Sequence, residues 1–387
     1  MGPHELAAGL ADLSLQHRRR RRAVMNAPQG AVAERDGEHC LNFASNDYLG
    51  LANHPALVDA CIAGVRRWGV GSGASALVSG YYEVHCQAER ELAGFVEREA
   101  ALLFTSGYAA NQSVLGSLLG RGDAVFGDRL NHASLNDGCL LTRATFRRFR
   151  HNDIGHLAEL LASTPARTRL IAVDAVYSMD GDEAPLEALL DLARHYDAWL
   201  YVDDAHGFGV LGDGRGSVCE RDLHDPRLIY MATLGKAAGV GGAFVAAGAE
   251  LIDWLVNSAR DYIYTTASPP LLAEAVRASL RLIAGESWRR ERVFSHVRRL
   301  GAALADGEFE QPPSRTPIQP LIIGNSEQTS RVSERLHAQG IWVPAIRPPT
   351  VAEGRARLRI TLSAAHDDSM IERLIGALRA SGGVCSA

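Results

Sequence analysis

Residues 231–239 read MATLGKAAG, and Lys236 is the one lysine of the chain: 40 positions are Lys or Arg, and removing Lys236 leaves 39, all arginine. Arginine replaces lysine as a solvated charge or an ion-pair partner, so a chain depleted of lysine still folds and stays in solution. What a guanidinium does not do is lose a proton near neutral pH and attack a carbonyl carbon. A retained lysine in an arginine background therefore points to amine chemistry. The competing explanation is a coding bias that spared one codon by accident, and the neighbouring sequence decides between them.

Around this segment, short apolar runs alternate with amphipathic stretches. ALLF (101–104) precedes YAANQSVLGSLLG, DAVFGD (123–128) precedes HASLNDGCLL, and RLIAVDAV (169–176) precedes LEALLDLARHY; AWLYVDD (198–204), RLIYMAT (227–233) and GGAFVAAG (241–248) follow. Strand alternating with helix predicts an α/β fold with a mostly parallel sheet covered by helices on both faces. A long helical stretch spans about 269–304, and beyond it IQPLIIG, IWVPAI and RARLRITLS read as strands flanked by helices, a small C-terminal α+β domain. The expected organisation is an N-terminal arm over 1–45, a large domain over 46–285 and a small domain over 286–387.

Ligands of open α/β sheets bind beyond the carboxyl ends of the strands, and polar motifs cluster at those ends here. YVDDAHGFGVLG places Asp203, Asp204 and His206 after an apolar run, VDAVYSMDGD does the same with Ser178 and Asp180, and MATLGKAAG brings Thr233 and Lys236. LLFTSGYAANQ ends a strand with Ser106 and Gly107 and then opens a helix, where unused backbone N–H groups and the helix dipole favour a phosphate. Each motif alone has an ordinary reading as a loop cap, an N-cap or a satisfied loop histidine such as His132. Together they supply an amine, an acid, a histidine and a phosphate cradle. Pyridoxal 5′-phosphate needs this inventory: a lysine for its Schiff base, a carboxylate for its pyridine nitrogen and donors for its phosphate. A carboxylate about 4 Å from the pyridinium gains roughly 4 kcal/mol at an effective dielectric near 20, enough to hold that nitrogen protonated. A metal hydrolase also uses Asp and His but leaves the lysine unexplained, and no metal is expected.

Bulk properties narrow the alternatives. A formal charge of −5 over 387 residues and a pI near 6.3 give no reason to expect nucleic acid or an anionic membrane as a partner. The arginine run at 18–22 lacks interleaved aromatics and reads as a solvated segment. No apolar run approaches the roughly 18 residues of a membrane span, and scattered cysteines without C-x-x-C pairs read as reduced thiols. A soluble cytoplasmic protein without a cleaved leader is expected.

The ordered motifs SNDYLG (45–50), GVGSGAS (69–75), SGYAAN (106–111), HASLNDG (132–138), YSMDGD (177–182), VDDAHGFGVLG (202–212), TLGKAAG (233–239) and AIRPPTV with RLRITLSAAH (345–351, 357–366) resemble the α-oxoamine synthases. These are fold-type I pyridoxal-phosphate enzymes, and the resemblance spans about residues 40–370. It implies the fold-type I architecture, with a mostly parallel seven-stranded sheet, and a homodimer with active sites between subunits. It also implies decarboxylative condensation of an amino acid with an acyl thioester. AIRPPTV is most similar to the biotin branch, which implies L-alanine and a pimeloyl thioester of coenzyme A or acyl carrier protein as substrates. Members using glycine or serine, or a silent binding protein on the same fold, are the alternatives.

Carried over by motif, Lys236 binds the cofactor and serves as base, Asp203 pairs with the pyridine nitrogen and His206 with the phenolic oxygen. Gly107, Tyr108, Ser178 and Thr233 line the cofactor on its phosphate side, and His132 stacks on the ring and meets substrate. Thr266 in YTTAS is similar to a threonine lent to the neighbouring subunit's phosphate. Asn46, Arg347, Arg359 and Thr350 match substrate-contacting positions, and Arg20 aligns with another. Two departures stand out: Asp174 occupies a position where the family commonly has Glu, one methylene longer, and the arginine run is longer than usual.

Overall fold

The computed structural model describes residues 2–16, 19, 22–305 and 309–382. The chain forms two compact units, one of residues 51–178 with 182–290, the other of residues 2–50, 179–181 and 291–382 within the described chain.

The larger unit is built on a seven-stranded sheet. Its strands in chain order are β1 (Ala100–Phe104), β2 (Ala124–Asp128), β3 (Thr145–Phe149), β4 (Arg169–Asp174), β5 (Ala198–Asp203), β6 (Leu228–Thr233) and β7 (Ala243–Ala247). Their spatial order is β1-β7-β6-β5-β4-β2-β3. Strands β3, β2, β4, β5 and β6 run parallel, while β7 is antiparallel to both β6 and β1. Strands β2, β4, β5 and β7 are buried along nearly their whole length, as both-face coverage requires, which is why they read as continuous apolar runs. Edge strand β3, TFRRF, is mostly exposed and carries Arg147 and Arg148, charges that guard an open edge. Leu102, Val114, Leu135, Leu170, Ile229 and Val245 belong to one apolar core.

In register, Asp174 at the end of β4 stands opposite Asp203 at the end of β5, and Asp203 opposite Met231 of β6. The polar ends of three adjacent strands therefore come level. The expected helix over 269–304 is two helices, Pro270–Gly285 and Ser287–Leu304, separated at Glu286, whose φ of −113° and ψ of 64° are not helical.

The smaller unit contains two three-stranded sheets. Strand Ala356–Thr361 lies between Ile318–Gly324 and Ala345–Ile346, antiparallel to each. The second sheet is a hairpin, Val32–Arg35 with Glu38–Asn42, to which Ile341–Trp342 adds in parallel. Its turn is Asp36–Gly37, with φ of 51° and 88°, the left-handed pair that a two-residue hairpin of this twist requires. Leu41, Phe43, Leu300, Leu321, Leu358 and Leu374 share the core of this unit.

Candidate active site

Lys236 sits in the connection from β6 to β7. That hairpin is closed by Leu234 N–H to Gly242 O at 2.9 Å, Val240 N–H to Leu234 O at 2.9 Å and Gly239 N–H to Lys236 O at 2.9 Å. Gly239 has a φ of 68°, and a Cβ there would press on the Leu51–Ala52 backbone, so this tight return depends on glycine. The half-buried Lys236 extends its Nζ to 2.8 Å from Nε2 of His206, which follows β5.

Asp203, the last residue of β5, is buried. Its Oδ1 accepts the Ala205 N–H at 3.0 Å and its Oδ2 accepts Asn111 Nδ2 at 2.8 Å. Asp204 turns the other way: it accepts Ser217 N–H at 2.7 Å, Ser217 Oγ at 2.6 Å and Tyr230 O–H at 3.0 Å. Burial pushes the Asp204 carboxyl up to about 7, against the pull of those donors. A Cβ on Gly207 or Gly216 would overlap its oxygens, so Gly207 of D-D-A-H-G and the later Gly216 make room for this carboxylate as much as for any ligand. The two adjacent acids thus divide their work, one toward the strand ends and one into the core.

His132 is exposed and starts the helix Ala133–Leu141, its Nδ1 accepting the Ser134 N–H. Its own N–H donates to Asp174 Oδ2 at 2.7 Å, so the shorter acid at the family's usual Glu position reaches the backbone of His132. Burial and the neighbouring charge of Asp203 push the Asp174 carboxyl well above the carboxylate range, while Lys236 pulls it down.

After β1, Ser106 caps the helix Gly107–Leu118 by accepting the Ala109 N–H at 3.1 Å. The Gly107 and Tyr108 N–H groups have no acceptor among the described residues. A Cβ on Gly107 would stand at 3.8 Å from both Thr233 Cβ and Met231 Cε, so the bare first turn lies beside the end of β6. Tyr108 is exposed with its hydroxyl on Asp137, and Ser178 is half-buried in the turn after β4. These groups fit pyridoxal phosphate: an amine, a held carboxylate, and a helix terminus with unused donors beside a threonine hydroxyl.

The remaining expected residues lie elsewhere. Thr266 is exposed on the segment before Pro270, which Ala267 N–H to Ala74 O at 3.0 Å and Ser72 Oγ to Ser268 O at 2.6 Å secure. In the smaller unit, Arg359 is buried and donates through Nη1 to Asn46 Oδ1 at 3.2 Å and Thr361 Oγ1 at 2.9 Å, bringing the expected pair together. Arg347 donates to Ser330 Oγ at 3.2 Å and its carbonyl accepts the Thr350 N–H at 3.1 Å, closing the turn that carries both. Arg20 lies outside the described residues. Absent from the expected set are Asn111, fully buried among apolar neighbours, and Ser134. A buried amide on an apolar helix face was the available signal for Asn111; its partners lie too far along the chain to be read from spacing.

Comparison with known proteins agrees with this geometry. The family model for aminotransferase class I and II matches residues 38–378. An 8-amino-7-oxononanoate synthase of Chromobacterium violaceum is 62% identical over 371 residues, 96% of this chain and 97% of that protein. One from Nitrosomonas europaea is 54% identical over 383 residues, 96% and 98% of the two chains. Among solved structures, Sphingomonas wittichii serine palmitoyltransferase superposes with a TM-score of 0.93 at 28% identity, covering 99% of this chain and 98% of that one. The 8-amino-7-oxononanoate synthase of Francisella tularensis gives 0.77 at 28% identity, covering 88% and 97%. A further serine palmitoyltransferase neighbour, TM-score 0.92 and 28% identity over 98% and 97% of the chains, was solved with pyridoxal phosphate. Matched almost end to end by such relatives, with a lysine, an aspartate and a helix terminus at the strand ends of the same fold, the chain belongs to the class I and II aminotransferase family and, within it, to the 8-amino-7-oxononanoate synthases.

Proposed function

We propose that this protein joins L-alanine to a pimeloyl thioester, of coenzyme A or acyl carrier protein, releasing CO2 and the thiol and forming 8-amino-7-oxononanoate, with pyridoxal phosphate held at Lys236. The observation that carries the cofactor assignment is the Lys236 Nζ at 2.8 Å from His206 Nε2, beyond the strand that ends in Asp203. When bound, the cofactor supplies an electron sink for the amino acid Cα.

The chain's own groups do the rest. Asp203, fixed through both oxygens, holds the proton on the pyridine nitrogen. The Gly107 and Tyr108 N–H groups and the Thr233 hydroxyl take the phosphate, with Ser178 on the same side, and His206 takes the phenolic oxygen. Lys236 would remove the α-proton once the substrate amine has replaced it, and the Cα electron pair then forms the new bond to the thioester carbonyl carbon as the thiolate leaves; the β-keto acid so formed loses its carboxylate as CO2, and Cα takes up a proton in its place. Arg359, oriented by Asn46 and Thr361, is the carboxylate binder. Arg347, Thr350 and Arg20 serve the acyl substrate. The functional form is a cytoplasmic homodimer in which Thr266 serves the partner's phosphate. Among the described residues no helix is long and apolar enough to cross a membrane.

The test is mass spectrometry of the products from purified protein given alanine, glycine and serine with pimeloyl, acetyl, succinyl and palmitoyl thioesters together. 8-Amino-7-oxononanoate as the main product is expected; any sister product in excess overturns the substrate assignment.

A further inference from the structure

Two groups converge on Nδ1 of His132: the Ser134 N–H at 3.3 Å, which only donates, and the Ser134 Oγ at 2.7 Å. What the hydroxyl does is decided further in. Asn111 sets its Nδ2 at 2.8 Å from Asp203 Oδ2 and at 2.8 Å from Ser134 Oγ, and its Oδ1 lies 2.7 Å from the Tyr201 hydroxyl. A carboxylate accepts only, so the amide must face Asp203 with its NH2, and the second proton of that NH2 goes to Ser134 Oγ. Burial pushes the Tyr201 hydroxyl well above its ordinary value, so it remains the donor that Asn111 Oδ1 requires. Having accepted from Asn111, the Ser134 hydroxyl has one proton to place, and Nδ1 of His132 is the acceptor within reach.

We infer that Asn111 and Ser134 are positioning residues that hold His132 as the neutral tautomer with its proton on Nε2, and so make it a hydrogen-bond donor to substrate rather than a base. Donation diverges from the Asn111 NH2: one proton goes to the Asp203 carboxylate, the other to Ser134 Oγ, and the hydroxyl passes its own proton to the imidazole. Nε2 has no hydrogen-bond partner among the described residues, and the residue is only partly withdrawn from water, so its N–H is available to a ligand. The groups that act on the ring agree with a neutral imidazole: removal from water and the charge of Lys236 push its pKa down, against Asp203 and Asp137. Asp174, which accepts the backbone N–H of the same residue, fixes where the ring starts. The inference rests on the proposed reaction only for what Nε2–H meets, a carboxylate or carbonyl oxygen of the substrate.

The experiment is nitrogen NMR of the holoenzyme carrying 15N-histidine, with the His132 signals assigned by their loss in His132→Asn. Between pH 6 and 8 the expected result is a bare Nδ1 and a protonated Nε2. Ser134→Ala should move the tautomer ratio about tenfold toward Nδ1–H, the equivalent of one hydrogen bond, and raise KM for the amino acid more than it lowers kcat. Ser134→Thr, which keeps the hydroxyl, should restore both. A proton on Nδ1 in the unmodified protein, or an unchanged ratio in Ser134→Ala, overturns the inference. Because the tautomer is read without turnover, the expected spectrum with a different product would reject the substrate assignment alone. Should Ser134→Ala fail to fold, the unmodified spectrum still decides.

Discussion

Lys236 Nζ and His206 Nε2 lie 2.8 Å apart, and two nitrogens at that distance share one proton between them. Since no second lysine exists in the chain, Lys236 is its one side-chain amine able to form a borohydride-stable bond with pyridoxal phosphate. Lys236→Ala should lose the covalent attachment and at least about 10⁴-fold in turnover, because one group supplies both the anchor and the base. Reduction followed by peptide mapping checks it; a labelled peptide outside 231–239, or a fully active variant, would refute the role.

The two acids of D-D-A-H should separate cleanly. Asp203→Asn replaces a carboxylate facing the Asn111 NH2 with an amide and removes the charge that keeps the cofactor nitrogen protonated, so activity should fall by about 10³-fold or more while the protein stays folded. Asp204→Asn should do the reverse, costing about 1–3 kcal/mol of stability through unsatisfied Ser217 and Tyr230 donors and leaving more of the activity. Parallel kinetics and urea melts test the pair, and the opposite ordering would reverse the assignment.

Asp204 also sets a pH dependence. Its folded pKa stands at about 7 against an ordinary 3.8, so the native state binds the proton more tightly than the unfolded chain. The stability this contributes is fully present below the unfolded value and is lost as pH rises through the folded one. The urea midpoint of the unmodified protein, relative to that of Asp204→Asn, should therefore fall from pH 5 to pH 7 and level above it, by at most about 1.4 kcal/mol per pH unit. A flat or rising difference would show that the donors outweigh burial.

Arg359 presents a planar fork already oriented on Asn46 and Thr361. Arg359→Lys keeps the charge and loses the fork, and should raise KM for the amino acid roughly 10- to 100-fold with a smaller change in kcat. Steady-state kinetics with alanine varied at saturating thioester measures the split; an unchanged KM would remove Arg359 from carboxylate binding.

Alanine should be preferred to glycine only moderately. A methyl group in a fitted pocket is worth about 1–3 kcal/mol, so kcat/KM values in direct competition should differ by roughly 10- to 200-fold. A ratio below unity would place the chain with its glycine-using sisters.

The strand-end chemistry was legible because β4, β5 and β6 are apolar runs that stop abruptly at polar residues, and their parallel pairing brings those stops level. The lysine stood out through composition alone. Strand β3 carries no such signal, because its edge position tolerates arginines that spoil an apolar pattern. The hairpin of residues 32–42 carries the turn pair Asp36–Gly37, but its short strands are largely polar and show no apolar run. The roles of Asn111 and Ser134 are hidden for a different reason: they lie in hydrogen bonds to Asp203 and His132, and the Asn111–Asp203 bond spans 92 positions of chain.

The closed hairpin between β6 and β7 has a bearing on the pace of the enzyme. Its backbone is bonded at Leu234, Lys236 and Gly239 and wedged by glycine against Leu51–Ala52, so the main chain beneath the amine has nowhere to go. In the proposed reaction the amine yields its place to the incoming substrate and later returns, and it would do both by turning about the bonds of one side chain. Such rotations are far faster than the opening of a loop. Exchange at this position should therefore be insensitive to solvent viscosity, so that a viscosity dependence of turnover would belong to the arrival of the thioester or the departure of product.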